Sequence, residues 1–182
     1  KRNPVASMDG KTMRGVHGDD VIRHMLSLFT HETQQTIGQI GVTVKENEIP
    51  AALRLFAQTG ITGMTIIADA LHTQKDTVGA IRSHHGHYLL IVKENQQELA
   101  DSIGMACTDS RLNYDTAADG QYTRGRSIET TVDCTHDPDV CAYIASLGWR
   151  DVSCVGRLHR AGTRTVCGIT TPVDETVYFI SS

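Results

Sequence analysis

Two aspartates stand where a chain can do chemistry: Asp9, in Ser7-Met8-Asp9-Gly10-Lys11, and Asp69, in Ile66-Ile67-Ala68-Asp69-Ala70. Each follows a short, largely apolar run, the pattern of a strand covered by protein. A buried strand that ends in an aspartate lifts the carboxylate into the crevice at the sheet edge, where open α/β folds place their ligands. If the two strands are neighbours, the carboxylates face each other, and like charges so placed are costly unless a cation lies between them. Oxygen-only ligands suit Mg²⁺ or Mn²⁺, which bind through one or two carboxylates together with substrate phosphate. Two such ions roughly 3.5–4 Å apart activate an attacking oxygen and stabilise a leaving one in an in-line displacement at phosphorus, the chemistry of nucleases and strand transferases. The same two positions also suit helix caps or turns, and Gly10 and Ala70 fit either role.

Around these acids, Lys11, Arg14, Lys93, Arg124 and Arg126 are the cations placed to meet a phosphate backbone, with a solvated face as the alternative for each. His72 and Gln74, just beyond Asp69, are candidates for the rim, holding substrate or water. The His84-His85-x-His87 run, and His136 between Cys134 and Cys141, lack a partner pair at ligand spacing, so zinc is not expected there. Five cysteines without a CxxC pair read as reduced core thiols. Neither a GxSxG elbow nor a GxxxxGK[ST] loop occurs, so serine-hydrolase and nucleotide-hydrolysing readings have no support.

The elements that must position the acids follow from periodicity. Val5 to Met8 predicts a short strand, and His24 to Thr30 with Thr36 to Val44 predicts a hairpin or meander. Ile49, Leu53, Phe56 and Ala57 fall at helical spacing over 48–58, with Asn47 as cap and Gly60 and Gly63 as stops. Met64 to Ala68 and Tyr88 to Val92 read as central strands. Thr73 with Asp76, and Asn95 with Glu98, read as capping boxes for helices whose faces are Val78 and Ile81, then Leu99, Ile103 and Ala106. The predicted order to residue 108 is β-β-β-α-β-α-β-α, an α/β core. Residues 109–119 are polar. Strand-like pieces follow at 127–132, 152–158, 165–170 and 176–180, with a short helix at 139–147, so 109–182 reads as a β-rich sub-lobe.

Composition bounds the rest. The chain has 182 residues and a formal charge of −4, so a histone-like coat is disfavoured and any DNA contact must be local. Apolar residues at 40% and charged residues at 21% describe a globular chain and oppose disorder. No apolar run approaches the roughly 18 residues of a membrane helix, and no leader h-region follows the N-terminal basic residues; a soluble, cytoplasmic protein is expected. The sequence opens directly into Val5-Ala6-Ser7-Met8 and closes on a strand, as expected of a piece trimmed from something longer.

Taken together, MDGKTMRG at 8–15, IGQIGVTVKENEIPAALRLF at 37–56, IIADALHTQKDTVGAI at 66–81, YLLIVKENQQEL at 88–99, GRSIETTV at 125–132 and YFISS at 178–182 resemble the catalytic domain of bacterial insertion-sequence transposases of the ISAs1 type, which include the H-repeat-associated proteins. The pieces are in family order and cover nearly the whole chain. The resemblance implies a ribonuclease-H-like mixed sheet with flanking helices, its core at 1–108 interrupted by a β-rich insertion at 109–182. It implies an enzyme that cuts and rejoins DNA with a DDE triad and divalent metal, Mg²⁺ with Mn²⁺ as substitute, acting on double-stranded DNA at transposon ends as a homo-oligomer in the bacterial nucleoid. Asp9 and Asp69 match the first two acids. Glu129 lies in a segment like the family's G-R-x-E-x-R, with an extra residue before it and Thr131 in place of the arginine; the alternative source of the third acid is a helix beyond the YFISS-like strand, where the family has H-W-x-x-E-N. The competing functions are a catalytically incomplete or domesticated DNA- or partner-binding relative, and a ribonuclease-H-like nuclease that only hydrolyses.

Overall fold

A computed structural model of the chain describes residues 3–13, 22–43, 46–123 and 125–182. Two compact units divide it: residues 1–90 with Ser182, and residues 91–181.

In the first unit, the alternation of Ala6 and Met8 along β1 (Val5–Thr12) meets Leu26 and Leu28 of β2 (Ile22–Thr30), all four buried. β2 turns back into β3 (Gln35–Thr43), and the three form an antiparallel meander. On its other edge β1 pairs in parallel with β4 (Thr65–Ala68), which pairs in parallel with β5 (His87–Val92). The order β3-β2-β1-β4-β5, three antiparallel strands extended by two parallel ones, is the ribonuclease-H-like core that the family resemblance implies.

Parallel neighbours need crossover connections, and α1 supplies the first. This helix (Glu48–Thr59) starts where the Asn47 side chain accepts a hydrogen bond from Ile49 N, and stops where Gly60, at φ 71°, returns its N–H to Phe56 O. Its buried stripe, Ala51, Ala52, Leu55 and Phe56, lies toward β3 and β2. Gly38 makes this approach possible, because a side chain there would run into Thr59 and Leu55.

The connection from β4 to α2 (Lys75–Ser83) differs from expectation. Asp69 Oδ1 accepts from Leu71 N and starts a 3-10 turn over Ala70–His72. That turn ends at Thr73, whose N–H bonds Ala70 O, so Thr73 is spent as a buried stop and Gln74 becomes the helix cap, its side chain donating back to Leu71 O and not capping the helix. A 3-10 turn over Glu94–Gln96 likewise displaces the predicted Asn95 cap of α3 (Gln97–Ala106) to Gln96.

The second unit is an antiparallel meander, β6 (Asp115–Thr123), β7 (Arg126–Thr135), β8 (Cys154–Val166) and β9 (Ile169–Ser181), with α4 (Pro138–Ser146) between β7 and β8. Leu99 and Ile103 of α3 are buried toward β8 and β9, with Ile144, Trp149, Val155, Phe179 and Ile180 completing the core. Two expectations fail here. The polar stretch at 109–119 leads into β6, which is exposed throughout and so shows no apolar alternation. The strand predicted at 165–170 is instead the tip of the long β8–β9 hairpin, which turns on Cys167 (φ 51°) and Gly168 (φ 80°). Two residues of positive φ are what a two-residue hairpin turn of matching twist requires.

Candidate active site

The β1–β4 pairing ends at Ser7 opposite Ile67. Carried two residues further, it puts Asp9 level with Asp69, on the same face, immediately past the point where β4 stops. Both aspartates are exposed. β1 does not end at Asp9 as the sequence suggests. It runs on to Thr12 because β2 continues to pair with it, Asp9 opposite Ser27 and Thr12 opposite His24. Asp9 is therefore carried on a paired strand, and Asp69 is tied down by the turn it caps, one of the two roles the sequence left open for it.

Sequence reasoning missed Glu48. As the first residue of α1, it reaches down to the end of β1, where a Cβ added to Gly10 would lie 3.2 Å from Oε2. Its Oε1 is 3.4 Å from His24 Nδ1 and its Oε2 is 3.6 Å from His72 Nε2. One carboxylate thus braces the backbone next to Asp9, the strand opposite it, and the turn that carries Asp69. The signal available in the sequence was a glutamate at a helix start with a glycine following the strand-end acid, which is too common a pair to single out.

His72 is not at the rim. It is buried to 2% exposure, with Nδ1 lacking a hydrogen-bond partner. Burial lowers its pKa below the ordinary 6.5, while Asp69 and Glu48 pull it back up, so the ring is neutral near pH 7. Gln74 is half-buried beside it. Lys11 is exposed two residues on from Asp9, on the same side of β1. Lys93 and Arg126 are exposed residues of the second unit, as is Glu129, which lies in the middle of β7 opposite Gly120 and Ala161. Arg14 and Arg124 lie outside the described residues. Among the described residues no helix is long and apolar enough to cross a membrane, and the His84–His87 run gathers no cluster of potential metal ligands.

Comparison with known proteins gives one consistent direction. The family described as "Transposase DDE domain" matches residues 2–166. The Escherichia coli (strain K12) protein YbfL is 35% identical over 130 residues, 67% of this chain and 34% of its own length. Two H repeat-associated proteins of the same strain, YhhI and YbfD, whose names place them with the transposases, are each 34% identical over 130 residues; the match spans 34% of YhhI and 51% of YbfD. The chain spans about a third of the length of the first relatives it matches. A solved piggyBac transposase, in a synaptic complex with hairpin DNA, superposes with a TM-score of 0.47 at 11% identity, over 97% of this chain and 32% of that one.

Proposed function

Because the chain belongs to the transposase DDE-domain family, we propose that it carries the catalytic core of a DNA transposase that cuts and rejoins phosphodiester bonds at transposon ends, with Asp9 and Asp69 as its first two acids. The observation that supports this reading is the parallel register of β1 on β4, which runs to Ser7 opposite Ile67, with Asp9 and Asp69 each two residues further along its own segment.

The donors gathered there are carboxylate oxygens, the set that suits Mg²⁺ or Mn²⁺ and disfavours softer metals. When bound, divalent ions at such a site activate the attacking oxygen and stabilise the leaving one. The chain's own part is to hold the carboxylates still. Pairing with β2 fixes Asp9, the hydrogen bond from Leu71 N fixes Asp69, and Glu48 acts as a positioning residue that braces both supports. Lys11, exposed on the Asp9 side, is a candidate for a phosphate of double-stranded DNA. Glu129 is on an exposed strand of the β-rich part at 109–182, read as the insertion, and the third acid is assigned to a helix following that insertion. The active assembly is proposed to be a homo-oligomer.

The test is nicking of supercoiled DNA in Mg²⁺ or Mn²⁺ by this chain and by a longer protein that continues through the next helix. The longer protein should nick and yield strand-transfer product, Asp9→Asn and Asp69→Asn should abolish both activities, and Glu129→Ala should leave them. Nicking that survives both aspartate substitutions would overturn the assignment, and nicking lost in Glu129→Ala would move the third acid to that position.

A further inference from the structure

We propose that the second unit holds a structural zinc ion between β7 and β8, ligated by Cys134, His136 and Cys154 with the Asp115 carboxylate in the fourth position. The site is separate from the aspartate pair and does not depend on the transposase reading.

The strand registers bring these residues to one face. Asp115 of β6 lies opposite Cys134 of β7, and Cys134 lies opposite Gly156 of β8. Cys154 is two residues before Gly156 on β8, and residues two apart on a strand share a face; His136 follows Cys134 by two residues and lies one residue past the end of β7. At Gly156 a Cβ would run into Asp133 O and sit 2.5 Å from Phe179 Cζ and 2.8 Å from Cys134 Cβ, so the position opposite Cys134 is closed to any side chain. The result is one ligand atom each from Cys134, His136 and Cys154, all within 4.8 Å of one another. A tetrahedral zinc with Zn–S of about 2.3 Å and Zn–N of about 2.0–2.1 Å separates its ligand atoms by roughly 3.3–3.8 Å. Small side-chain rotations close that difference.

Two further observations point to a metal over a chance cluster of thiols. His136 Nδ1 is 2.9 Å from the carbonyl oxygen of Ser153; in the tautomer that donates this bond, Nε2 presents its lone pair outward. An imidazole oriented by a backbone carbonyl through its other nitrogen is the usual support of a metal-binding histidine. Asp115 Oδ2 is 3.8 Å from that Nε2 and lies outside the group whose ligand atoms are all within 4.8 Å of one another, so it must move in to take the fourth position. An open cleft of about 310 Å³ is lined by Asp115, His136 and Asp137. Thiolate with imidazole selects zinc over the hard cations suited to Asp9 and Asp69. The ion would tie the exposed β6 edge and the β7–β8 pair together, in a unit whose strands are largely solvated. The cysteine reading from sequence is thereby revised for two of the five thiols, because the strand register joins residues that are twenty apart in the chain.

The probe is Co²⁺ added to the reduced, metal-stripped 182-residue chain. One equivalent should bind with thiolate-to-metal absorption and tetrahedral d–d bands, and Zn²⁺ should displace it. Cys134→Ser with Cys154→Ser should remove the thiolate band, Asp115→Asn should weaken binding ~10–100-fold, and Cys167→Ser, at the exposed tip of the β8–β9 hairpin, should leave it unchanged. X-ray absorption on the zinc-loaded wild-type chain, which needs no variant to fold, should give two sulfur ligands. The proposal is overturned if no thiolate band appears, if the band persists in the double serine variant, if the zinc shell contains only nitrogen and oxygen, or if peptide mapping finds Cys134 and Cys154 joined as a disulfide in protein purified without reductant.

Discussion

A carboxylate acts only as well as it is held, and two residues, Glu48 and His72, lie beside the segments that carry the aspartates. Glu48 lies 3.4 Å from His24 Nδ1 and 3.6 Å from His72 Nε2, and a Cβ at Gly10 would come within 3.2 Å of it. Supporting residues of metal sites typically contribute 10–100-fold in affinity or activity, so Glu48→Ala should reduce nicking by roughly that factor while circular dichroism stays native; Glu48→Gln, which keeps the shape, should recover part of it. His72 adds a pH dependence whose sign is determined. Its folded-state pKa lies below 6.5 because it is buried, so on acidification the unfolded chain takes up a proton that the folded chain resists. Stability from this residue is complete above the unfolded value and is lost as pH falls from there toward the folded value. Thermal melts between pH 7.5 and pH 5 should therefore slope less in His72→Gln than in the wild-type chain; equal slopes would mean that another group carries the effect.

At the scale of elements, α1 matters most, since it carries Glu48 and covers β2 and β3. Its start depends on one side chain: Asn47→Ala removes the acceptor for Ile49 N and should cost about 1 kcal/mol, read as a lower denaturation midpoint with unchanged m-value. Because Glu48 is the adjacent residue, the same substitution should also lower nicking, which a cap remote from the site would not do. The caps of α2 and α3 show why such motifs mislead. Thr73-x-x-Asp76 and Asn95-x-x-Glu98 have capping-box spacing, but each falls within or beside a 3-10 turn that has already used the local backbone donors. For α2, the nearer competitor, Asp69 capping Leu71 N, decides the frame.

Across the whole molecule, the formal charge of −4 opposes a polyanion, so DNA binding rests on local cations such as Lys11. Fluorescence titration with unrelated duplex should show weak binding that falls steeply with salt, since each phosphate contact releases counterions. Tight, salt-insensitive binding would contradict that expectation. Ions that bind the folded state alone stabilise it by mass action, so Mg²⁺ should raise the melting temperature of the wild-type chain, and the increment should vanish in Asp9→Asn and in Asp69→Asn.

The helix expected over 48–58 and the β-β-β-α-β-α-β-α order were legible from the chain itself, because burial imprints a period of two or of 3.6 on apolar residues, and Asp9 and Asp69 stand out as acids after such runs. β6 was not legible, since a strand solvated on both faces carries no such imprint. Nor were the depth of His72, the reach of Glu48, or the meeting of Cys134, His136 and Cys154. Each of these depends on which strand lies beside which and in what register. Local periodicity carries no information about residues twenty or more positions apart, and only the pairing of the strands brings their side chains together.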